Sequence, residues 1–427
     1  MNNLLEYFNN NISPYLLKFS NNRYVTAITN GMILTVPFTI VGSIFMILAN
    51  LPIAAYQETI EPYQSMLGTP TMVTFNVMAV IATIGIAYNL AKIYKLDTLR
   101  ISIISLVCFL LIQVSMNEEG VYFLDTAQFG TLGVFTAMII SILVVEIAKF
   151  CAEKELTIKM PDNVPNAISG AFDIIIPLLI SLVVVWIIRV VIGFDINNAM
   201  NTLLSPLVTG LNSLLGITLF MFLRSLLWCV GIHGGAVLGA ADPIFTTMLG
   251  ANVEAFAAGH PLPYITATGF FNFVFIGGGG GTLMLVIFMI FSKDEGLRTL
   301  GKLSLPSSIF QINEPIVFGT PIVFNPIMMI PYIIGNVLMT VLTYVLMYFN
   351  IIGRPVTSIP WTTPSVLSHY LTTGGDWRAA AFGVISIAVT GIIYYPFFKM
   401  LEKQRLEVAE AEENEEEKEN IIGVDYE

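Results

Sequence analysis

The chain is poor in charge: only 11% of its 427 residues are Asp, Glu, Lys or Arg, against about a quarter in an ordinary soluble protein. That shortage excludes a water-soluble globular fold, because too few ionised groups exist to hydrate its surface. Cysteine is scarce as well. Cys108, Cys151 and Cys229 stand alone in apolar sequence or at its edges, with no C-x-x-C spacing, which excludes a dithiol centre or a zinc ribbon and leaves them as packing residues. No cluster of His, Cys, Asp and Glu has metal-ligand spacing, so no metal and no cofactor is expected. The five glycines 277–281 are not followed by Lys-Ser or Lys-Thr, which excludes a phosphate loop and leaves close helix packing or a chain break. A Ser/His/Asp arrangement and a basic patch suited to nucleic acid are also missing. The segment 1–24 lacks the basic-then-apolar pattern of a signal peptide; its Leu4, Leu5, Tyr7, Phe8, Ile12, Tyr15 and Leu16 predict a short cytoplasmic, interfacial piece.

What is abundant is apolar residues, 55% of the chain. Stretches close to the roughly 20 residues that cross a bilayer recur near 26–49, 71–91, 101–116, 130–150, 172–194, 326–350 and 379–400. Lys and Arg alternate between the connections: Lys18 and Arg23 precede the first span, 50–70 has none, Lys92, Lys95 and Arg100 follow, 117–129 has none, and Lys149, Lys154 and Lys159 come next. Because basic residues are retained on the cytoplasmic side, both termini are expected to be cytoplasmic. The net charge of −11 is concentrated at one end. Eleven of the 30 acidic residues lie between Glu402 and Glu427, and removing that stretch leaves 19 acids against 16 bases. The expected organisation is a single membrane domain over 25–402 and an acidic cytoplasmic tail over 403–427, solvated or disordered.

The second half differs from the first. GIHGGAVLGAADP at 231–243, IGGGGGT at 276–282 and INEPIVFGTP at 312–321 break the apolar runs with Gly and Pro. Irregular backbone at membrane depth is tolerated only where protein or a water-filled cavity satisfies its polar groups, so these breaks mark a solute site. The fold expected is an all-α polytopic membrane protein of about ten transmembrane helices, with re-entrant hairpins in the C-terminal half.

Within the breaks, Glu314 is the only formal charge in FQINEPIVFGTPIVFNP. An intramembrane carboxylate is costly and marks function by default; the competing reading is a loop carboxylate capping backbone. Asn313 beside it offers a donor and an acceptor. His233 sits among Gly231, Gly234 and Gly235, either as a ligand group in a non-helical segment or as a packing residue. Trp228, Trp361 and Trp377 are three of the four tryptophans, suited to stacking on sugar C–H faces or to an interfacial belt. Arg224 lies one helical turn before Trp228, placing it toward the same cavity, whereas Arg189 is read as snorkelling. His260 and His369 lie in loop-like contexts and receive no role.

GIHGG (231–235), QINEPIVFGTPIVFNP (311–326), RPVTSIPWTTP (354–364) and GGDWRAA (374–380) closely resemble the membrane IIC components of the phosphoenolpyruvate-dependent sugar phosphotransferase system, within it the lactose, cellobiose and diacetylchitobiose family. The resemblance covers nearly the whole chain from PFTIVGSIF at 37–45. It departs at Asp242-Pro243, where the family often has Asn-Pro, and at the five glycines. What it implies is a homodimeric permease in the bacterial cytoplasmic membrane that takes up a β-linked disaccharide and presents it to a separate IIB phosphocarrier, itself charged by IIA. The donor cysteine belongs to IIB, so the chain carries no phosphocarrier residue of its own. The resemblance assigns Glu314 and His233 to the catalytic site, and Asn313, Trp228, Trp361 and Trp377 to sugar binding; Arg224 joins the sugar-binding set on its spacing from Trp228 alone. A proton-coupled sugar symporter is the rival from another class, since Glu with His is also a proton relay; a channel or structural membrane protein is the third.

Overall fold

The computed structural model describes residues 22–50, 54–117, 119–158, 172–231, 234–320, 322–323 and 325–424, so most of the interfacial segment read at 1–24 lies outside the described residues. The first apolar run forms two helices, α1 (Arg23–Ile33) and α2 (Val36–Asn50), separated at Leu34 and Thr35, where the Thr35 hydroxyl donates to the Met32 carbonyl at 2.7 Å. The second is also divided: α3 (Ala54–Ile60), α4 (Gln64–Phe75) and α5 (Met78–Ile93) follow. Asp97 starts α6 (Thr98–Ile112) by accepting from the Arg100 backbone N–H at 3.0 Å, the standard N-cap device.

The span read at 101–116 stops short. Its last residues form β1 (Val114–Met116), which pairs antiparallel with β2 (Tyr122–Leu124), Val114 opposite Leu124. This hairpin is a small addition to a chain that is otherwise helical, as expected among the described residues: β-branched and aromatic side chains pair once the helix has ended. α7 (Val134–Glu153) agrees with the reading at 130–150. α8 (Ile175–Trp186) passes through a π-helical turn at Ile187–Val191 and bends by 87° into α9 (Ile196–Leu211). Arg189, expected to snorkel, donates from Nε to the Ile112 carbonyl at 3.0 Å and so satisfies an orphan carbonyl at the end of α6.

In the second half the Gly/Pro breaks become a series of short elements: α10 (Leu214–Cys229), α11 (Gly234–Leu238), α12 (Asp242–Ala257), α13 (Leu283–Ile290), α14 (Glu295–Ile309) and α15 (Glu314–Gly319). Then come α16 (Pro326–Tyr348), α17 (Ser365–Thr372) and α18 (Trp377–Val424). His369 belongs to α17, not to a loop, and is fully buried 4.3 Å from the Phe273 ring. α18 runs on through the acidic stretch expected to be disordered, since Ala, Glu, Lys and Gln favour helix and no Gly or Pro intervenes until Gly423.

Among the described residues, five helical stretches are long and apolar enough to cross a bilayer, and the bent α8–α9 pair makes a sixth. α6 and α10 are apolar but shorter. Among the described residues three apolar clusters hold the helices together: a large one built mainly from α5, α6, α7 and α12, a second around Tyr332, Tyr394, Met328 and Leu285 where α13, α16 and α18 meet, and a small one of Leu227, Val230 and Val237. Several hydroxyls inside the bundle return to carbonyls one turn back, as Thr83 does to Ala79 and Ser386 to Phe382, each at 2.7 Å, which satisfies those groups without water.

Just before α18, the GGDWR motif is a tie. The Asp376 carboxylate accepts from the Gly353 N–H at 2.8 Å and from the Arg378 N–H and Nε, each at 2.9 Å. Partial burial is the largest single influence and raises this carboxyl, but the donors on Arg378 and Gly353 together outweigh it and hold it below the usual carboxylate range. A depressed carboxyl stabilises the fold above its unfolded pKa, and that contribution disappears as pH falls through the folded value. Asp376→Asn is therefore expected to destabilise the fold at pH 7 by on the order of 1–2 kcal/mol after solvent screening at Arg378, and so to lower the unfolding temperature. The gap to the parent should close in acid; melting of both proteins in detergent across that range checks it.

Candidate functional site

Glu314 opens α15, with Pro315 next to it. Proline fits the first turn of a helix, where its missing N–H would have no intrahelical partner. The glutamate lines a cavity of about 410 Å³ together with Arg224, Trp228, Asn272, Tyr332 and Trp361. Among the described residues no ion pair reaches its carboxylate, and the residue lines the cavity.

One wall of the cavity is the glycine run, and it is held by side-chain amides from three directions. Gln311 Oε1 accepts from the N–H groups of Gly277 and Gly278 at 2.7 and 2.9 Å, while its Nε2 donates to Ser365 Oγ at 2.8 Å. Asn313 Nδ2 donates to the Gly279 carbonyl at 2.6 Å and to Thr282 Oγ1 at 2.9 Å. Asn336 Oδ1 accepts from the Gly280 N–H at 2.9 Å, and Tyr394 donates to the Gly280 carbonyl at 3.0 Å. Gly278 and Gly280 have φ of +102° and +85°, and a Cβ would overlap the Asn313 side chain at the first and the Tyr332 ring at the second. Only glycine takes this path at low cost, which is why the run is there.

Arg224 and Trp228 lie one turn apart on α10 and both line the cavity, as their spacing implied. The Arg224 guanidinium stands over the rings of Phe275 at 4.9 Å and Phe271 at 5.9 Å. Trp361, 64% exposed, forms part of the rim. Asn313 is buried and lines the wall, but its amide nitrogen is already occupied by the glycine loop. Trp377 is 73% exposed at the start of α18 and is not among the lining residues. His233 lies outside the described residues.

Sequence reasoning missed Gln311, Asn272, Tyr332 and Asn336. A signal existed for Asn336, a lone amide in the apolar run of α16, where an unpaired polar group is expensive; none marks Asn272. A second cavity of about 350 Å³ adjoins the first and shares Arg224, Asn272, Phe275 and Trp361 with it. It contains the carboxylate of Asp242, which the sequence marks only as a departure from the family pattern.

An acidic, aromatic-walled cavity within a bundle of apolar helices defines a membrane transport protein. Residues 29–335 match the family described as "Phosphotransferase system, EIIC", and the chain belongs to that family. It is 36% identical over 430 residues to the lichenan permease IIC component of Bacillus subtilis, covering 95% of each chain. It is 34% identical over 431 residues to the cellobiose-specific EIIC component of Geobacillus stearothermophilus, covering 95% of this chain and 96% of that one. Among solved structures, the crystal structure of the transporter ChbC, the IIC component of an N,N'-diacetylchitobiose-specific phosphotransferase system, superposes with a TM-score of 0.89 at 36% identity. The match covers 95% of this chain and 99% of that one.

Proposed function

We propose that the chain is the permease component through which a β-linked disaccharide of the cellobiose, lactose or diacetylchitobiose kind enters and is phosphorylated by a IIB phosphocarrier. The observation that carries this reading is the Glu314 carboxylate facing a cavity with Trp228 and Trp361 at its walls, in a chain of the EIIC family. Indole faces match the C–H faces of a sugar ring, and the carboxylate and amides match its hydroxyls. Glu314 orients the reactive hydroxyl and accepts its proton as the phosphorus–sulfur bond to the IIB cysteine breaks and the phosphorus–oxygen bond to the sugar forms. His233, two residues beyond the end of the turn that closes α10, is assigned as its partner. Trp228, Trp361, Arg224 and Asn313 position the sugar, the last chiefly by holding the glycine wall. Trp377, exposed at a helix start, is assigned a place at the membrane interface.

The same reading takes the broken helices of the second half as re-entrant hairpins in a bundle of about ten spans, with the domain limits 25–402, cytoplasmic termini in the bacterial cytoplasmic membrane, and a homodimeric assembly. A proton-coupled symporter gains no support from the family match. Membrane vesicles containing the protein decide between the two. Uptake that requires a phosphorylated IIB partner and delivers sugar phosphate is the expected result; uptake driven by a pH gradient, delivering free sugar without IIB, would overturn it.

A further inference from the structure

Four of the five glycines in the wall are required by the path of the chain: Gly277, Gly278, Gly280 and Gly281 have φ between +70° and +102°, where other residues are strained. No positive φ reserves position 279 for glycine. A neighbour does. A Cβ at 279 would lie 2.8 Å from the Tyr332 hydroxyl oxygen, too close to be accommodated, but 3.8 Å from the ring carbon that carries it, an ordinary van der Waals distance. The side chain missing from Gly279 therefore makes room for a single oxygen atom.

That oxygen is unspent. Tyr332 and Tyr394 belong to the same buried cluster, and Tyr394 donates to the Gly280 carbonyl at 3.0 Å, as a buried tyrosine ordinarily finds a partner. Among the described residues the Tyr332 hydroxyl makes no hydrogen bond, yet it is not one of the unpaired polar atoms sealed in the interior. It therefore opens on the cavity that Tyr332 lines with Glu314. The two residues meet the same turn of the wall, because Asn313, immediately before Glu314, donates to the Gly279 carbonyl at 2.6 Å. A carboxylate only accepts and the phenol has a proton to give, so the pair offers opposite polarity across Gly279. A phenylalanine would fill the same space without a polar group to desolvate. A hydroxyl kept free at the cavity is accounted for by a ligand atom that accepts from it.

We propose that Tyr332 is a specificity-determining residue whose hydroxyl donates to one oxygen of the sugar unit seated at Glu314, a different oxygen from the one whose proton Glu314 accepts. Two oxygens of one unit are then read with opposite polarity, which fixes its rotation in the cavity and presents the reactive hydroxyl in a single orientation. Gly279 supplies the clearance for this contact. The assignment rests on the sugar-site reading above and adds a contact within it.

The test is calorimetric binding to the purified full chain in detergent, using cellobiose, N,N'-diacetylchitobiose and mannobiose, and then the monodeoxy analogues of the one that binds best. Tyr332→Phe should weaken that sugar about tenfold, roughly 1.4 kcal/mol, at an unchanged melting temperature. At one sugar position, removing the oxygen should cost the parent about tenfold and the Tyr332→Phe variant nothing further; at every other position the two proteins should lose alike. Gly279→Ala should lower the melting temperature of the parent and be tolerated in the Tyr332→Phe background, where the nearest atom is 3.8 Å away. The contact is overturned if Tyr332→Phe binds the sugar as the parent does, or if all the deoxy analogues lose equally in both proteins. An alanine at 279 that costs the same with and without the hydroxyl overturns the clearance. Loss of binding in Glu314→Gln beside parent-like binding in Tyr332→Phe leaves the sugar site standing without this contact. If no sugar of the panel binds the parent protein, the sugar-site reading itself falls and takes the contact with it.

Discussion

A Glu314→Gln variant is expected to insert and fold normally yet lose sugar phosphorylation by about 10²–10⁴-fold, the range that a positioned general base contributes. Glutamine keeps the shape and one acceptor oxygen but accepts no proton at neutral pH. Because the carboxylate faces the cavity and makes no ion pair among the described residues, its removal leaves no buried countercharge stranded, so the loss belongs to chemistry and binding rather than to folding. IIB-dependent formation of sugar phosphate in vesicles, set against the melting temperature of the purified variant, separates the two. Phosphorylation near the parent level would remove Glu314 from its assigned role.

Gly280→Ala is expected to have an effect of similar size by another route. An alanine at φ +85° is strained by about 1–3 kcal/mol, and its methyl group overlaps the buried Tyr332 ring, which itself lines the cavity. The loop must then shift, breaking the bonds from Asn336 and Tyr394 that fix Gly280 and moving a wall of the site. Sugar binding measured by calorimetry should fall by at least about 100-fold, equivalent to some 2.7 kcal/mol, with a lower melting temperature. Gly68, whose added Cβ meets nothing within 4 Å, is the matched control: alanine there should leave both unchanged.

How much of this was legible in the sequence depended on whether the signal was local. Glu314 stood out because one carboxylate in an apolar run is visible without knowing its neighbours, and Arg224 with Trp228 because their spacing is one helical turn. The glycine wall was visible as a break but not as part of a site. The residues that make it one, Gln311, Asn336 and Tyr394, lie 33 to 114 residues away, and nothing in their own surroundings announces the partner. The interruption between α1 and α2 left a trace in Pro37, which lies in the first turn of α2. The one at Asn76–Val77 left neither Gly nor Pro, and a continuous span was the natural reading. In the acidic tail two tendencies conflict, charge density favouring solvation and Ala/Glu composition favouring helix, and the structure follows the second.

The hydrogen-bond bookkeeping of the glycine wall has a consequence for ligand choice. Asn313 directs its N–H groups at Gly279 and Thr282, Gln311 at Ser365 and Thr363, and Asn336 one of its own at Ser225, so most of the amide donors of this wall are spent within the protein. Donors reach the cavity from elsewhere on its lining, chiefly Arg224, while Glu314 offers a carboxylate that only accepts. At the carboxylate itself the polarity of the contact is fixed: the entering molecule must bring the hydrogen. Unmodified hydroxyls satisfy this, whereas a deoxyfluoro or O-methyl sugar, equal in shape but unable to donate at the altered carbon, leaves an acceptor dry. Fluorinating or methylating one hydroxyl at a time therefore maps which sugar carbon sits against Glu314, without altering the protein at all.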